Sequence, residues 1–221
     1  MSTDLRVVVV GGQHVGYHVA RHLDNRGHDV VVVEKDPERV DFLNDEYVAT
    51  VIEGDGGRPS VLKQAGLKQS DVVAALTGYG AMTNIGICAV AERLAPDIRT
   101  VARIDHGDSE EYGGMVDGLV YPEQLAAHAA TNEIMEVAGG GVRTIEEVTA
   151  DLELMEVTIA ENAPAAGKRL QEVSFPRGAL VVADCTGSQL PGPEMELRAG
   201  GRYILTVRSE VSDEVVRLLR G

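Results

Sequence analysis

The chain has 221 residues, with 35 Asp plus Glu against 20 Lys plus Arg, a formal net charge of −15, and 44% hydrophobic but only 4% aromatic residues. That length suits one large domain or two small ones with a real core. No apolar run reaches the ~18 residues of a membrane span, and Met-Ser-Thr-Asp lacks the basic and apolar parts of a signal peptide, so a soluble intracellular chain is expected. So negative a balance excludes a broad grip on nucleic acid or anionic lipid, and any phosphate binding must be local.

Apolar, β-branched runs alternate with helix-length amphipathic segments through the first 138 residues. Strands are predicted at Leu5 to Val10, Asp29 to Glu34, Val48 to Ile52, Val72 to Leu76, Thr100 to Ile104 and Gly118 to Tyr121. Helices are predicted near 15–26, 37–45, 59–65, 81–94 and 122–138. Val7 to Val10 and Val30 to Val33 are continuous rather than alternating, as suits strands covered on both faces. The fold class is α/β, a Rossmann-like doubly wound parallel sheet.

Gly139-Gly140-Gly141 breaks the pattern and ends any helix. Three segments are expected: residues 1–138 as the Rossmann-like domain, 139–149 as a linker, and 150–221 as a smaller α+β domain. In the last, strands are predicted at Leu152 to Ile159, Ala179 to Cys185 and Tyr203 to Arg208, a short helix at Lys168 to Val173, and a closing helix at Val211 to Leu219, with Ser212 as its start signal. Cys88 and Cys185 fit no metal spacing and read as small buried hydrophobes. Only four of the 20 bases are lysine (Lys35, Lys63, Lys68, Lys168), and high acid with scarce lysine suggests a salt-adapted cytoplasm.

After the first strand, Val10-Gly11-Gly12-Gln13-His14-Val15-Gly16 opens a helix. The dinucleotide fingerprint G-x-G-x-x-G serves a tight turn, a close pyrophosphate approach and helix packing. Gly11 and Gly16 hold its first and third positions, and Gln13 replaces the second, where a side chain should crowd the ligand unless the loop shifts. The helix N-terminus still offers free N–H groups to an anion. The second strand ends at Glu34-Lys35, whose acid can hold a ribose 2′,3′-diol and repels a 2′-phosphate, favouring NAD or an adenosine nucleotide over NADP. Further polar groups follow the other strands: Glu53-Gly54-Asp55-Gly56, Thr77-Gly78 before a helix containing Asn84, and Arg103 with Asp105. This fold binds ligands at strand C-termini.

The segments VVVVGGQHVGYHVARHL, VVVVEKDPERV, VIEGDGGRPSVLKQAGLKQSDVVAALT, TVARI and VDGLVYPEQLAAHA resemble the nucleotide-binding domain that regulates potassium conductance (RCK), as in the TrkA and KtrA proteins. APAAGKRLQEVSFPRGALVVA and ELRAGGRYILTV resemble its companion TrkA-C domain. The resemblance implies that Gly11, Gly12 and Gly16 line the phosphates, with the intervening Gln13, His14 and Val15 at the cofactor, that Glu34 meets the ribose with the adjoining Lys35 also at the cofactor, and that Asp55 borders the adenine. It places Thr77 and Arg103 along the rest of the cleft. Glu123 matches an acid that in some ATP-binding members helps hold a divalent cation between subunits. His14 stands where those members often carry an arginine, and neutral imidazole is a poorer phosphate clamp. The ligand stays open between NAD/NADH, ATP/ADP and AMP.

By the same resemblance, the chain is a cytosolic regulatory subunit of a Trk- or Ktr-type membrane potassium transporter, peripheral to the inner face of the membrane. It would assemble as a homo-oligomer, a dimer within an octameric ring. The predicted helix 122–138, with Leu125, Ala126, Ala129, Ala130, Ile134 and Met135 near one face, resembles the family's crossover helix. The competing class is an NAD-dependent oxidoreductase, which needs an acid or base beside the nicotinamide. All six histidines precede the triple glycine, and no catalytic motif is visible. His18 and His22 share a helix face and read as solvated rather than as a metal pair. A third class, a free-standing sensor serving another cation transporter, has no distinguishing sequence feature.

Overall fold

The computed structural model describes residues 4–46, 49–105, 109–149, 151–185 and 191–221. Val48, the expected start of the third strand, and His106 lie outside them. The chain forms two compact units, divided between Leu125 and Ala126.

The first unit runs β1 (Arg6–Val10), α1 (His14–Asp24), β2 (Asp29–Glu34), α2 (Pro37–Asp45), β3 (Thr50–Glu53), α3 (Pro59–Gln64), β4 (Val72–Ala75), α4 (Ala81–Leu94), β5 (Arg99–Arg103), a short α5 (Ser109–Tyr112) and β6 (Gly118–Val120). The strands pair in the order β3-β2-β1-β4-β5-β6, all in parallel. This is the Rossmann order, whose reversal point lies between β1 and β4. The valine runs divide by parity, because successive side chains leave a strand on opposite faces. Val8, Val10, Val31 and Val33 pack with Leu62, Ile85 and Cys88, while Val7, Val9, Val30 and Val32 pack with Tyr17, Ala20 and Leu43. Each face is thus apolar, and a continuous run is what two covering layers require.

α6 (Pro122–Val137) begins in the first unit and continues into the second. It has no buried residue, and Leu125, Ile134, Met135 and Val137 are exposed, Val137 to 82%. The second unit then adds β7 (Val142–Thr149), β8 (Leu152–Thr158), β9 (Ala179–Asp184), β10 (Arg202–Arg208) and α7 (Ser212–Arg220). Its sheet is antiparallel in the order β7-β8-β10-β9. Met155, Val157, Leu205 and Val207 pack in one core with Val215 and Leu219 of α7. Asp213 and Glu214 in the first turn of α7 and Arg217 and Arg220 in its last turn suit the helix dipole.

Three local expectations are corrected. Residues 139–149, expected as a linker, contain β7, which pairs with β8 along its length. Asn132 of α6 holds it there, donating to the Thr144 carbonyl at 2.6 Å and accepting from its N–H at 3.2 Å. Lys168 to Val173 holds only a 3-10 turn at Leu170–Glu172, because its backbone pairs with the 193–197 segment instead: Leu170 N–H donates to Met195 and Gln171 to Pro193. Ser212 is the first residue of α7, and Val211 takes the capping position without a side-chain hydrogen bond.

Candidate nucleotide-binding site

A cavity of about 320 Å³ opens at the C-terminal ends of β1 to β4. Gly11 and Gln13 after β1, Glu34 and Lys35 after β2, Gly54 to Gly56 after β3, and Thr77 to Tyr79 after β4 line it, with Thr83 and Ile87 of α4 behind them.

The glycines are required by space. Gly11 adopts φ +97°, and a Cβ there would stand 3.0 Å from the Thr77 Cα and N. At Gly16, in the first turn of α1, a Cβ would run into the Gly11 carbonyl oxygen, and at Gly56 into a Val10 methyl. These three let the loops close on one another around a backbone-walled cradle. Gln13 stands at the position of the fingerprint's second glycine. It caps α1 in an extended conformation (φ −66°, ψ −170°), is exposed, and makes no side-chain cap, so the loop accommodates a side chain where the fingerprint has glycine. His14 is exposed and Val15 half-buried in the same turn, which carries no acidic side chain. Its N–H groups and positive dipole end suit an anion.

Glu34 is 5% exposed. Its Oε2 accepts from the Gly12 N–H at 2.6 Å, and its Oε1 accepts from Lys35 N–H at 2.7 Å and Asp36 N–H at 3.0 Å. An ionised carboxyl has about four lone-pair sites, so one remains for a hydroxyl. The Gly12 carbonyl, in turn, accepts from Arg39 Nε at 2.6 Å, with that guanidinium 4.1 Å above the Phe42 ring. Glu34 and Arg39 therefore grip the two ends of one glycine and fix the loop.

Asn84 is fully buried and fastens the β4 loop. Its Oδ1 accepts from Thr77 N–H (3.1 Å) and Oγ1–H (2.7 Å), and its Nδ2 donates to the carbonyls of Thr77 (3.0 Å) and Arg103 (2.9 Å). Asp55 Oδ1 accepts from Gly57 N–H at 2.9 Å, and Asp55 stands 3.8 Å from Arg58 Nε. Lys35 Nζ sits 3.7 Å over the Tyr79 ring.

Of the predicted residues, Gly11, Gln13, Glu34, Lys35, Asp55 and Thr77 line the cavity, and Gly12, His14, Val15 and Gly16 form the loop and first turn behind it. Arg103 and Glu123 are not brought to its lining. The Arg103 guanidinium pairs with Glu123 and with Asp105, the latter at 2.9 Å but not aligned as a hydrogen bond. Glu123 is thus committed to a cation of the chain, and the described residues hold no group of three His, Cys, Asp or Glu suited to a metal. His18 and His22 are exposed on α1.

Tyr79, Thr83, Ile87 and the organising roles of Asn84 and Arg39 escape sequence reasoning. An isolated tyrosine between two glycines after a strand was the signal for the first.

A parallel Rossmann sheet with a glycine-lined cleft, followed by a small antiparallel α+β unit, defines a two-unit protein with a nucleotide-type fold. The chain matches the TrkA-N domain over residues 7–119 and the TrkA-C domain over 154–220, and it belongs to the TrkA family. The curated relatives it matches are named as proteins of a potassium uptake system. The Trk system potassium uptake protein TrkA homolog of Pyrococcus horikoshii is 30% identical over 223 residues, covering 96% of each chain. Two solved structures share the fold at 16% identity. The GsuK channel bound to NAD has a TM-score of 0.65 over 99% of this chain, which spans 40% of that one. GsuK bound to ADP has a TM-score of 0.50 over 58% of this chain and 34% of that one. Among the described residues no helix is long and apolar enough to cross a membrane.

Proposed function

We propose that this chain is a cytosolic, adenine-nucleotide-binding regulatory subunit that gates a Trk- or Ktr-type potassium transporter from the inner face of the membrane. The observation that carries this reading is the cleft itself: a glycine cradle, an uncapped helix N-terminus and a buried carboxylate converge where a Rossmann fold takes its ligand. The relatives' potassium-uptake names and the NAD- and ADP-bound GsuK structures support the ligand and partner classes.

A bound nucleotide supplies a polyanion and a ribose diol. The chain's own groups divide the work. The free N–H groups of the first turn of α1 hold phosphate, and Glu34 accepts from a ribose hydroxyl while keeping Gly12 in place. Because one carboxylate touches both the loop and the ribose position, phosphate and sugar are read together. Gating then follows from linkage: a nucleotide that binds one arrangement of subunits more tightly shifts the assembly toward it by that difference in affinity. The bare apolar residues of α6 support assembly with further copies, a dimer within an octameric ring, since Leu125, Ile134 and Met135 are left uncovered in a single chain.

Calorimetric titration with NAD, NADH, ATP, ADP and NADPH tests the nucleotide reading. At least one of the first four is expected to bind, and NADPH at least about tenfold more weakly than NADH, because a 2′-phosphate meets the Glu34 carboxylate. Glu34→Ala is expected to cost about 1–3 kcal/mol of binding. No binding by any of the five leaves a scaffold with a structural cleft, and tighter binding of NADPH removes Glu34 from the ribose. Restoration of potassium uptake in a strain lacking its own regulatory subunit, by the wild type and not by a non-binding variant, tests the gating.

A further inference from the structure

Asn84 ties the cleft to the next strand. It bonds the N–H, the hydroxyl and the carbonyl of Thr77, which lines the cavity, and its Nδ2 also donates to the Arg103 carbonyl at 2.9 Å. A fully buried amide held in this way passes a displacement of Thr77 on to the β5 backbone, because a close-packed interior leaves it no room to yield. The Arg103 side chain then faces two acids with one guanidinium. Its Nη2 donates to Glu123 in the first turn of α6, while its Nε stands 2.9 Å from Asp105 Oδ1 without the alignment of a hydrogen bond. Nε and Oδ1 are both buried, and both lack a hydrogen-bond partner. The Glu123 side chain, by contrast, is 48% exposed.

We propose that Arg103 is a two-position switch through which the occupied cleft acts on α6. The inference rests on the nucleotide reading above and names the regulation of that site. A guanidinium is a planar fork that serves one carboxylate best through two parallel bonds. In the present arrangement Arg103 holds Glu123 and leaves a buried donor and a buried acceptor unmatched, which is unfavourable away from water. In the alternative the fork squares on Asp105 and satisfies both. Glu123 is then released to solvent, where a carboxylate is well hydrated and the lost ion pair was weak. Each arrangement gains what the other lacks, so the two lie close in free energy. A small movement of the Arg103 backbone, driven through Asn84 by a ligand against Thr77, tips the balance. Release of Glu123 loosens the start of α6, a helix with no buried residue to hold it. α6 continues into the second unit, where Asn132 holds β7, so the element released is the one both units share.

Hydrogen–deuterium exchange on the full chain reads the amides of Leu125 to Ala129, with and without the tightest binder among NAD, NADH, ATP and ADP. In the wild type their exchange is expected to change about two- to threefold on binding, as about fivefold coupling does to two states of similar free energy. Glu123→Gln and Asp105→Asn are each expected to abolish that response, and to move the nucleotide-free baseline in opposite directions. Glu123→Gln removes the charge that draws Arg103 to α6, so the amides exchange faster. Asp105→Asn removes the competitor, so they exchange more slowly. Because linkage is reciprocal, the two variants are expected to differ from each other in affinity by about fivefold, one above wild type and one below, although neither acid lines the cavity. A response that persists in either variant, baselines that shift the same way, equal affinities in the two variants, or unchanged wild-type exchange in a complex confirmed by calorimetry overturns the switch. Failure of the wild type to bind any of the four nucleotides sinks the broader reading, whereas normal wild-type binding with any of those results sinks the switch alone.

Discussion

Gly12 makes the cleft a single device. Its N–H is held by Glu34 and its carbonyl by Arg39, each at 2.6 Å, so the peptide following it cannot rotate. A peptide's C=O and N–H point in opposite directions. Fixing the first on Arg39 thus fixes the Gln13 N–H as well, and a preset donor loses no freedom when an anion arrives. Gly16 is the strictest position in this loop, because the atom a Cβ would meet is the backbone oxygen of Gly11 and not the yielding end of a side chain. Gly16→Ala is expected to cost about 1–3 kcal/mol in thermal or denaturant unfolding and to lower nucleotide affinity at least tenfold, since the loop must open to admit the methyl. Unaltered affinity in a folded Gly16→Ala protein would mean that the loop geometry is not the phosphate site. Much of this was legible in the residue types: glycines at positions 11 and 16, an acid ending β2, polar groups ending β3 and β4. What was not legible is commitment. Nothing in the sequence says that Arg103 and Glu123, 20 positions apart, spend their charges on each other rather than on a ligand.

At the level of elements, helices and parallel strands were readable because their signals are local and redundant. The split of the valine runs between two cores follows from parity alone, and β2 keeps the expected bounds. β7 was not readable for an equally physical reason. Its register against β8 shifts between Thr144 and Glu146 and again between Glu147 and Thr149, so the two-residue alternation that marks a strand is interrupted twice. Lys168 to Val173 failed in the opposite direction: a helix this short is not stable by itself, and pairing with 193–197 satisfies its backbone better. α4 offers the clean element-scale test. Gly86 sits inside that helix, is exposed, has no positive φ, and a Cβ there would meet nothing within 4 Å. Gly86→Ala is expected to stabilise the protein by about 0.5–1 kcal/mol, mainly by restricting the unfolded chain. A lower melting temperature would show that this stretch of α4 is covered in the assembled protein and needs the bare backbone.

For the molecule as a whole, the net charge of −15 sets how it answers to salt. Most of its 35 acids have no role in the cleft, where Glu34 and Asp55 are the two that line it. The remainder repel one another in the compact state more than in the unfolded one, so they oppose folding at low ionic strength. Raising KCl from about 0.1 M to about 1 M shortens the screening length from ~10 Å to ~3 Å, which removes repulsion across the surface but reaches few contacts made at hydrogen-bond distance. The melting temperature is therefore expected to climb steadily with KCl. On the proposed reading, nucleotide affinity is expected to change far less than it would for a lysine-built phosphate site, because backbone N–H groups and Glu34 would do the holding and Lys35 is the one lysine lining the cleft. Melting curves and calorimetry over the same salt series read both. A melting temperature that stays flat or falls would remove the salt-adapted reading of the composition. An affinity that collapses as the salt rises would mean that phosphate is held by mobile surface cations rather than by the glycine cradle.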